Sequence, residues 1–91
     1  MDLVYKEWLE NLKEKINEDE IIIKYNLKIN VEKNGLSVYY PKKEKDLGIH
    51  YSSIYPYFKE RNKPNFSNEK SLAYAKIICL KIIKSWIFTL N

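Results

Sequence analysis

The sequence predicts an α+β fold: a single small domain, residues 1–91, in the order α-β-β-β-α, with an antiparallel three-stranded sheet and the N- and C-terminal helices packed on one face. Three observations carry this. Apolar residues recur every three or four positions near the start and again over the last quarter of the chain; between these stretches the period falls to two; and an Asn34-Gly35 pair interrupts the alternation where a hairpin needs its turn. At 91 residues the chain is one domain with a small core.

Residues 2–17 read as an amphipathic helix, because Leu3, Val4, Trp8, Leu9, Leu12 and Ile16 fall on one side and Asp2 offers an N-cap carboxylate. Asn17 to Glu20 is an acidic break. From residue 21 to 32, Ile21, Ile23, Tyr25, Leu27, Ile29 and Val31 alternate with mostly polar neighbours, which predicts a half-buried strand. Lys33-Asn34-Gly35 suits a type I′ turn, and Leu36, Val38 and Tyr40 resume the alternation as the second strand. Pro41 to Asp46 reads as a charged loop and Leu47, Ile49 and Tyr51 as a third strand. Residues 52–61 contain Pro56, which cannot donate to a ladder, and read as an extended aromatic segment ending in a loop. Ser67 then caps a long final helix reaching about residue 90.

Composition excludes several classes. Only two glycines and three prolines occur, so flexible linkers and Gly-rich phosphate loops are absent. One cysteine, Cys79, cannot form an intramolecular disulfide, and no basic-then-apolar leader opens the chain, so the expected compartment is the cytoplasm. The most apolar stretch, residues 72–90, contains Lys76, Lys81 and Lys84, each costing about 2.5–3.5 kcal/mol at a bilayer centre, so no membrane span is expected.

Chemistry-bearing constellations are sparse. A single histidine, His50, and a single cysteine cannot assemble a zinc site, so neither metal nor cofactor is expected. His50 beside Tyr51, Ser52 and Ser53 is the one arrangement that could serve as a general base with a hydroxyl, but no orienting carboxylate adjoins it. Cys79 shares the apolar side of the last helix and reads as a small buried hydrophobe. No small-molecule substrate is indicated, and no catalytic role is expected.

Charge and aromatic content are more telling. The chain carries 16 Lys and Arg against 12 Asp and Glu, net +4, unevenly spread: residues 1–20 hold 3 Lys against 7 acids, and residues 21–91 hold 13 basic against 5 acidic residues. Such polarity suits an oppositely charged macromolecule or a second copy of the chain. Eight tyrosines and two tryptophans supply the side chains that dominate interface energetics. The reading is therefore a small non-catalytic binding protein that engages a protein partner, or itself as a homodimer, as an inhibitor or adaptor. Phages and mobile elements encode accessory proteins of this kind, host-defence inhibitors among them. The expected site is Tyr51, Tyr55, Tyr57, Phe58, Arg61 and Lys63, with Ile77, Leu80, Lys84, Ile87 and Phe88 from the last helix. The alternative is a nucleic-acid (RNA or DNA) binding module whose sheet face and loops present Lys24, Lys28, Tyr39, Lys42, Lys43 and Lys45. The α-β-β-β-α order is shared with double-stranded RNA-binding domains. The likeness ends at element order, because this last helix opens Ser67-Asn68-Glu69-Lys70-Ser71 instead of with a run of lysines.

Overall fold

The computed structural model describes residues 2–91 and has the α+β architecture of helix, three antiparallel strands in one open sheet, and C-terminal helices. Helix α1 spans Leu3–Asn17, and the Asp2 carboxylate accepts from the Val4 N–H at 2.9 Å. It buries Tyr5, Trp8, Leu9, Leu12 and Ile16. Helix α4, Asn68–Leu90, is capped by the Ser67 hydroxyl, which accepts from the Lys70 N–H at 3.2 Å.

Strands β1 (Lys28–Glu32), β2 (Gly35–Tyr40) and β3 (Lys45–His50) form a meander in the order β1-β2-β3. In register, Ile29 faces Val38 and Val38 faces Leu47, while Leu36 lies between Val31 and Ile49. These residues form the face that packs under the helices, α1 over β1 and β2 and α4 over β3. The opposite face carries Lys28, Asn30, Glu32, Ser37, Tyr39, Asp46, Gly48 and His50 and is uncovered.

Two expected extended segments are helical instead. The expected strand over 21–32 begins as a short helix, α2 (Glu20–Lys24), because the Asp19 carboxylate accepts from the Ile21 N–H at 3.0 Å and closes a helical turn. Ile22, on the supposedly polar side, is buried, and Ile23, on the supposedly apolar side, is 70 % exposed. Asn26, at φ +53°, then reverses the chain, and the alternation of period two holds from Leu27 onward. The second correction is α3, Tyr51–Glu60, which replaces both the end of the expected third strand and the expected extended segment 52–61. Pro56 sits inside it. Its missing N–H orphans only the Ser52 carbonyl, four residues back in the exposed first turn, where water can reach. Burial of Ile54 and Phe58 offsets that loss by about 1.5–3 kcal/mol per side chain.

The β1–β2 turn also differs from type I′. Glu32 pairs with Gly35, leaving Lys33 and Asn34 as the loop, and neither has a positive φ. Positive φ falls on Gly35, at +147°. A Cβ there would collide with the Ile49 carbonyl oxygen of the adjacent strand, so both backbone angle and strand approach demand glycine.

Helices α1 and α4 pack on each other. The Trp8 indole N–H donates to the Ser71 hydroxyl at 3.0 Å, and Asp19, Glu20, Ile21, Ile23, Lys24 and Tyr25 share a cleft of about 650 Å³ with Lys84. Ser71 is fully buried, and its hydroxyl in turn donates to the Asn68 carbonyl at 2.7 Å. No described helix is long and apolar enough to cross a membrane.

Gly35→Ala is expected to destabilise the protein by about 3 kcal/mol or more, since strained backbone and steric collision add at one position. Urea denaturation measures this directly, and an unchanged midpoint would contradict the turn geometry.

Candidate docking surface on the last helix

The residues singled out from sequence divide into three groups. Tyr51 and Tyr55 lie on α3 against the start of α1, where Tyr55 meets Tyr5 edge-on at 5.2 Å and Tyr51 at 5.9 Å. Phe58 fills the core between Tyr5 and Trp8, with ring centroids at 4.8 and 5.5 Å. The Arg61 guanidinium caps the same ring at 3.9 Å and donates to the Phe58 carbonyl at 3.1 Å, so this arginine is tied to its own helix end. Lys63 pairs with Glu60 at 2.6 Å, the only ion pair among the described residues. Leu80 and Ile87 are buried with Phe58. These three leave the set of side chains that can reach a partner. Both α1 and α3 pack on α4, and their combined contact broadens its buried side.

Along the exposed side of α4, Tyr74, Ile77, Lys81, Lys84 and Phe88 follow at successive spacings of three and four, flanked by exposed Lys70, Ala73, Ser85 and Thr89. Ile77 is 50 % exposed and Phe88 is 85 % exposed. Tyr57, from α3, stacks on Tyr74 at 6.3 Å, and Phe66, from the connecting loop, stacks on its ring at 5.4 Å, so an aromatic cluster widens one end of the stripe. At the other end Ile23 projects into the cleft that Lys84 also lines. Tyr74, Phe66 and Ile23 escaped the sequence reading of the site. The i, i+3 spacing of Tyr74 and Ile77 was the available signal for the first, whereas Phe66 and Ile23 are placed by loop and turn geometry.

The basic residues of the alternative reading gather at one end of the sheet. Lys42 and Lys43 sit in a 3₁₀ turn, Pro41–Lys43, and Lys45 opens β3. The Lys28 ammonium donates to the Asn26 side chain at 3.0 Å, and Lys24 lies over the Tyr25 ring at 5.4 Å. Tyr39, however, stands between Lys28 and Asp46 in register, Glu44 sits among the lysines, and Glu32 on the same face accepts from the Ser37 hydroxyl at 2.9 Å. The open face is therefore mixed in charge.

His50 serves as the N-cap of α3. Its Nδ1 accepts from the Ser52 N–H at 3.3 Å and lies 3.1 Å from the Ser52 hydroxyl. The histidine–hydroxyl pair noted in the sequence is thus formed, with the ring nitrogen engaged in holding the helix start.

Two buried groups have shifted acidities. The Tyr5 hydroxyl is the one buried side-chain polar atom without a partner among the described residues. Its pKa is pushed up to about 12, first by burial and then by the neighbouring Tyr55, Cys79 and Tyr51 groups. Burial likewise pushes the Cys79 thiol up to about 12. Among the described residues no cluster of His, Cys, Asp and Glu could hold a metal ion. Compared with known proteins, the chain matches no family model, no curated protein and no solved structure.

Both groups are neutral in the fold and ionise more readily unfolded, from ordinary values of 10.0 for Tyr5 and 9.0 for Cys79. Their contribution to stability is complete below pH 9 and is lost as pH rises toward 12. Urea midpoints measured across that range should fall, and a flat profile would contradict the burial of both groups. At neutral pH, Tyr5→Phe should stabilise the protein by about 1 kcal/mol, because it removes a buried hydroxyl that bonds nothing.

Proposed function

We propose that this chain is a non-catalytic binding protein that engages another protein through the outer face of α4, as a small inhibitor or adaptor does. The observation that carries the reading is Phe88, 85 % exposed on a regular helix and aligned with Ile77, with Lys81 and Lys84 between them. Leaving large apolar side chains in water on a helix that has already filled its core face gains the isolated chain nothing. Apolar anchors flanked by cations suit a partner whose own apolar patch is rimmed by carboxylates. Tyr57, Phe66 and Tyr74 extend this surface with stacked rings that lose little conformational freedom on binding.

A second reading is favoured by one observation, the gathering of Lys24, Lys28, Lys42, Lys43 and Lys45 at one end of the sheet. There the chain would hold the phosphates of a nucleic acid, with binding that weakens steeply as salt rises. Glu44 and Asp46 within that cluster reduce its attraction, which is why the α4 face is preferred.

A photo-crosslinking amino acid placed singly at Ile77, Phe88, Tyr39 or Lys43 in cells that produce the protein separates the two. Discrete protein adducts at 77 and 88, but not at 39 or 43, are the expected result. Nucleic-acid adducts at 43 with none at 77 or 88 would replace the first reading with the second, and no adduct at 77 or 88 would overturn the first.

A further inference from the structure

We propose that the occupant of the α4 face is a second copy of this chain, which lays the acidic outer side of its α1 along Lys81 and Lys84. The inference rests on the docking role assigned to α4 above and names the partner. On α1, the side turned away from the core presents Leu3, Glu7, Glu10 and Glu14, followed by Glu18 just past the last turn, all exposed. On α4, the side turned away from the core presents Ile77, Lys81, Lys84 and Phe88. Within the chain none of these acids or lysines is paired, since Lys63–Glu60 is the only ion pair among the described residues. The chain therefore carries two helical stripes of opposite charge whose groups form no contact ion pair, with Lys84 sharing its cleft with Asp19 and Glu20.

Symmetry and charge together select one arrangement. α1 and α4 pack on each other, and each turns its free side away from the core. If two such helical layers meet face to face about a two-fold axis running along the helices, α1 of each copy lies on α4 of the other, and the contact is made twice. If the axis runs across the helices, α4 lies on α4 and α1 on α1, which sets lysine against lysine and glutamate against glutamate. Facing like charges oppose association and facing opposite charges favour it, so the first arrangement prevails. It is closed and self-complementary, with no free face to continue a polymer.

Rotation about an axis along the helices preserves height along them, so residues level with each other in one chain meet across the interface. Asp19 to Tyr25 are level with Lys84, since they line one cleft. Glu18 and Glu20 of one copy consequently approach Lys81 and Lys84 of the other. Ile23, which lines the same cleft, comes near Phe88, one turn beyond Lys84. At 70 % and 85 %, these are the two most exposed large apolar side chains described, and each would cover the other.

The test is mass by light scattering over a series from micromolar to millimolar protein at low salt, with circular dichroism to confirm that each variant is folded. The wild-type mass should rise from 11.0 kDa toward twice that value. The double variant Lys81→Glu/Lys84→Glu should weaken the dimer at least about tenfold. Adding Glu18→Lys and Glu20→Lys to that same chain should restore it, since the charges that face each other are then exchanged. A mass fixed at 11.0 kDa throughout the series, a dimer indifferent to Lys81→Glu/Lys84→Glu, or a failure of the charge exchange to restore it would each overturn the proposal. Failure here is separable from failure of the docking role: a constant monomer mass together with adducts from Phe88 to a different protein removes the second copy and leaves the α4 face in place.

Discussion

The structure depends on covering one face of a sheet only three strands wide. Leu36 and Val38 on the central strand are buried because helices lie over the sheet as a second layer, α1 and α3 against that strand itself. Strands of five or six residues cannot bury that face by themselves, so helix placement is set by what the sheet must lose from water. The two helices meet each other as well as the sheet, and the indole N–H of Trp8 reaches the Ser71 hydroxyl deep in that seam. A buried donor needs an acceptor, and Ser71 meets this need while its own hydroxyl donates a hydrogen bond to the Asn68 carbonyl in the same helix's first turn. Packing and polar satisfaction therefore require the same relative placement of α1 and α4.

From this arrangement follows the surface the molecule presents. Once α1 and α3 have both taken part of α4, the large apolar residues left on its free side are few and aligned. The uncovered sheet face is polar and mixed in charge, which is usual for a one-sided antiparallel sheet. The aromatic residues of α3 split accordingly: Tyr55 and Phe58 close the end of the core around Tyr5, and Tyr57 turns to α4 and stacks on Tyr74.

Elements with two agreeing signals were legible in the sequence. For α1 and α4 the capping residues Asp2 and Ser67 and the helical spacing point to the same boundaries, and in β2 the alternation of Leu36, Val38 and Tyr40 coincides with burial. Where one signal stood alone, it misled. Ile21-Ile22-Ile23 fits a strand or a helical turn equally well, and the Asp19 carboxylate decided for the helix. Pro56 argued against regular structure, yet Tyr51, Ile54, Tyr55 and Phe58 are spaced for one helical side and had α1 and α4 to pack against. At the candidate site, Ile77, Lys84 and Phe88 lie on the exposed stripe. Leu80 and Ile87 differ from them only in rotation about the helix, a quantity fixed by which neighbours pack on α4 and invisible in one chain's periodicity.

Cys79 sits wholly inside this packing, with a thiol that burial keeps protonated. In the closed molecule it is chemically silent, since the thiolate is the reactive form and no reagent reaches it. Any modification of that sulfur must follow an excursion in which α4 parts from its neighbours. The chain thus carries an internal clock: its rate of alkylation counts the openings of its own core, residue by residue silent except at the one atom that reports them.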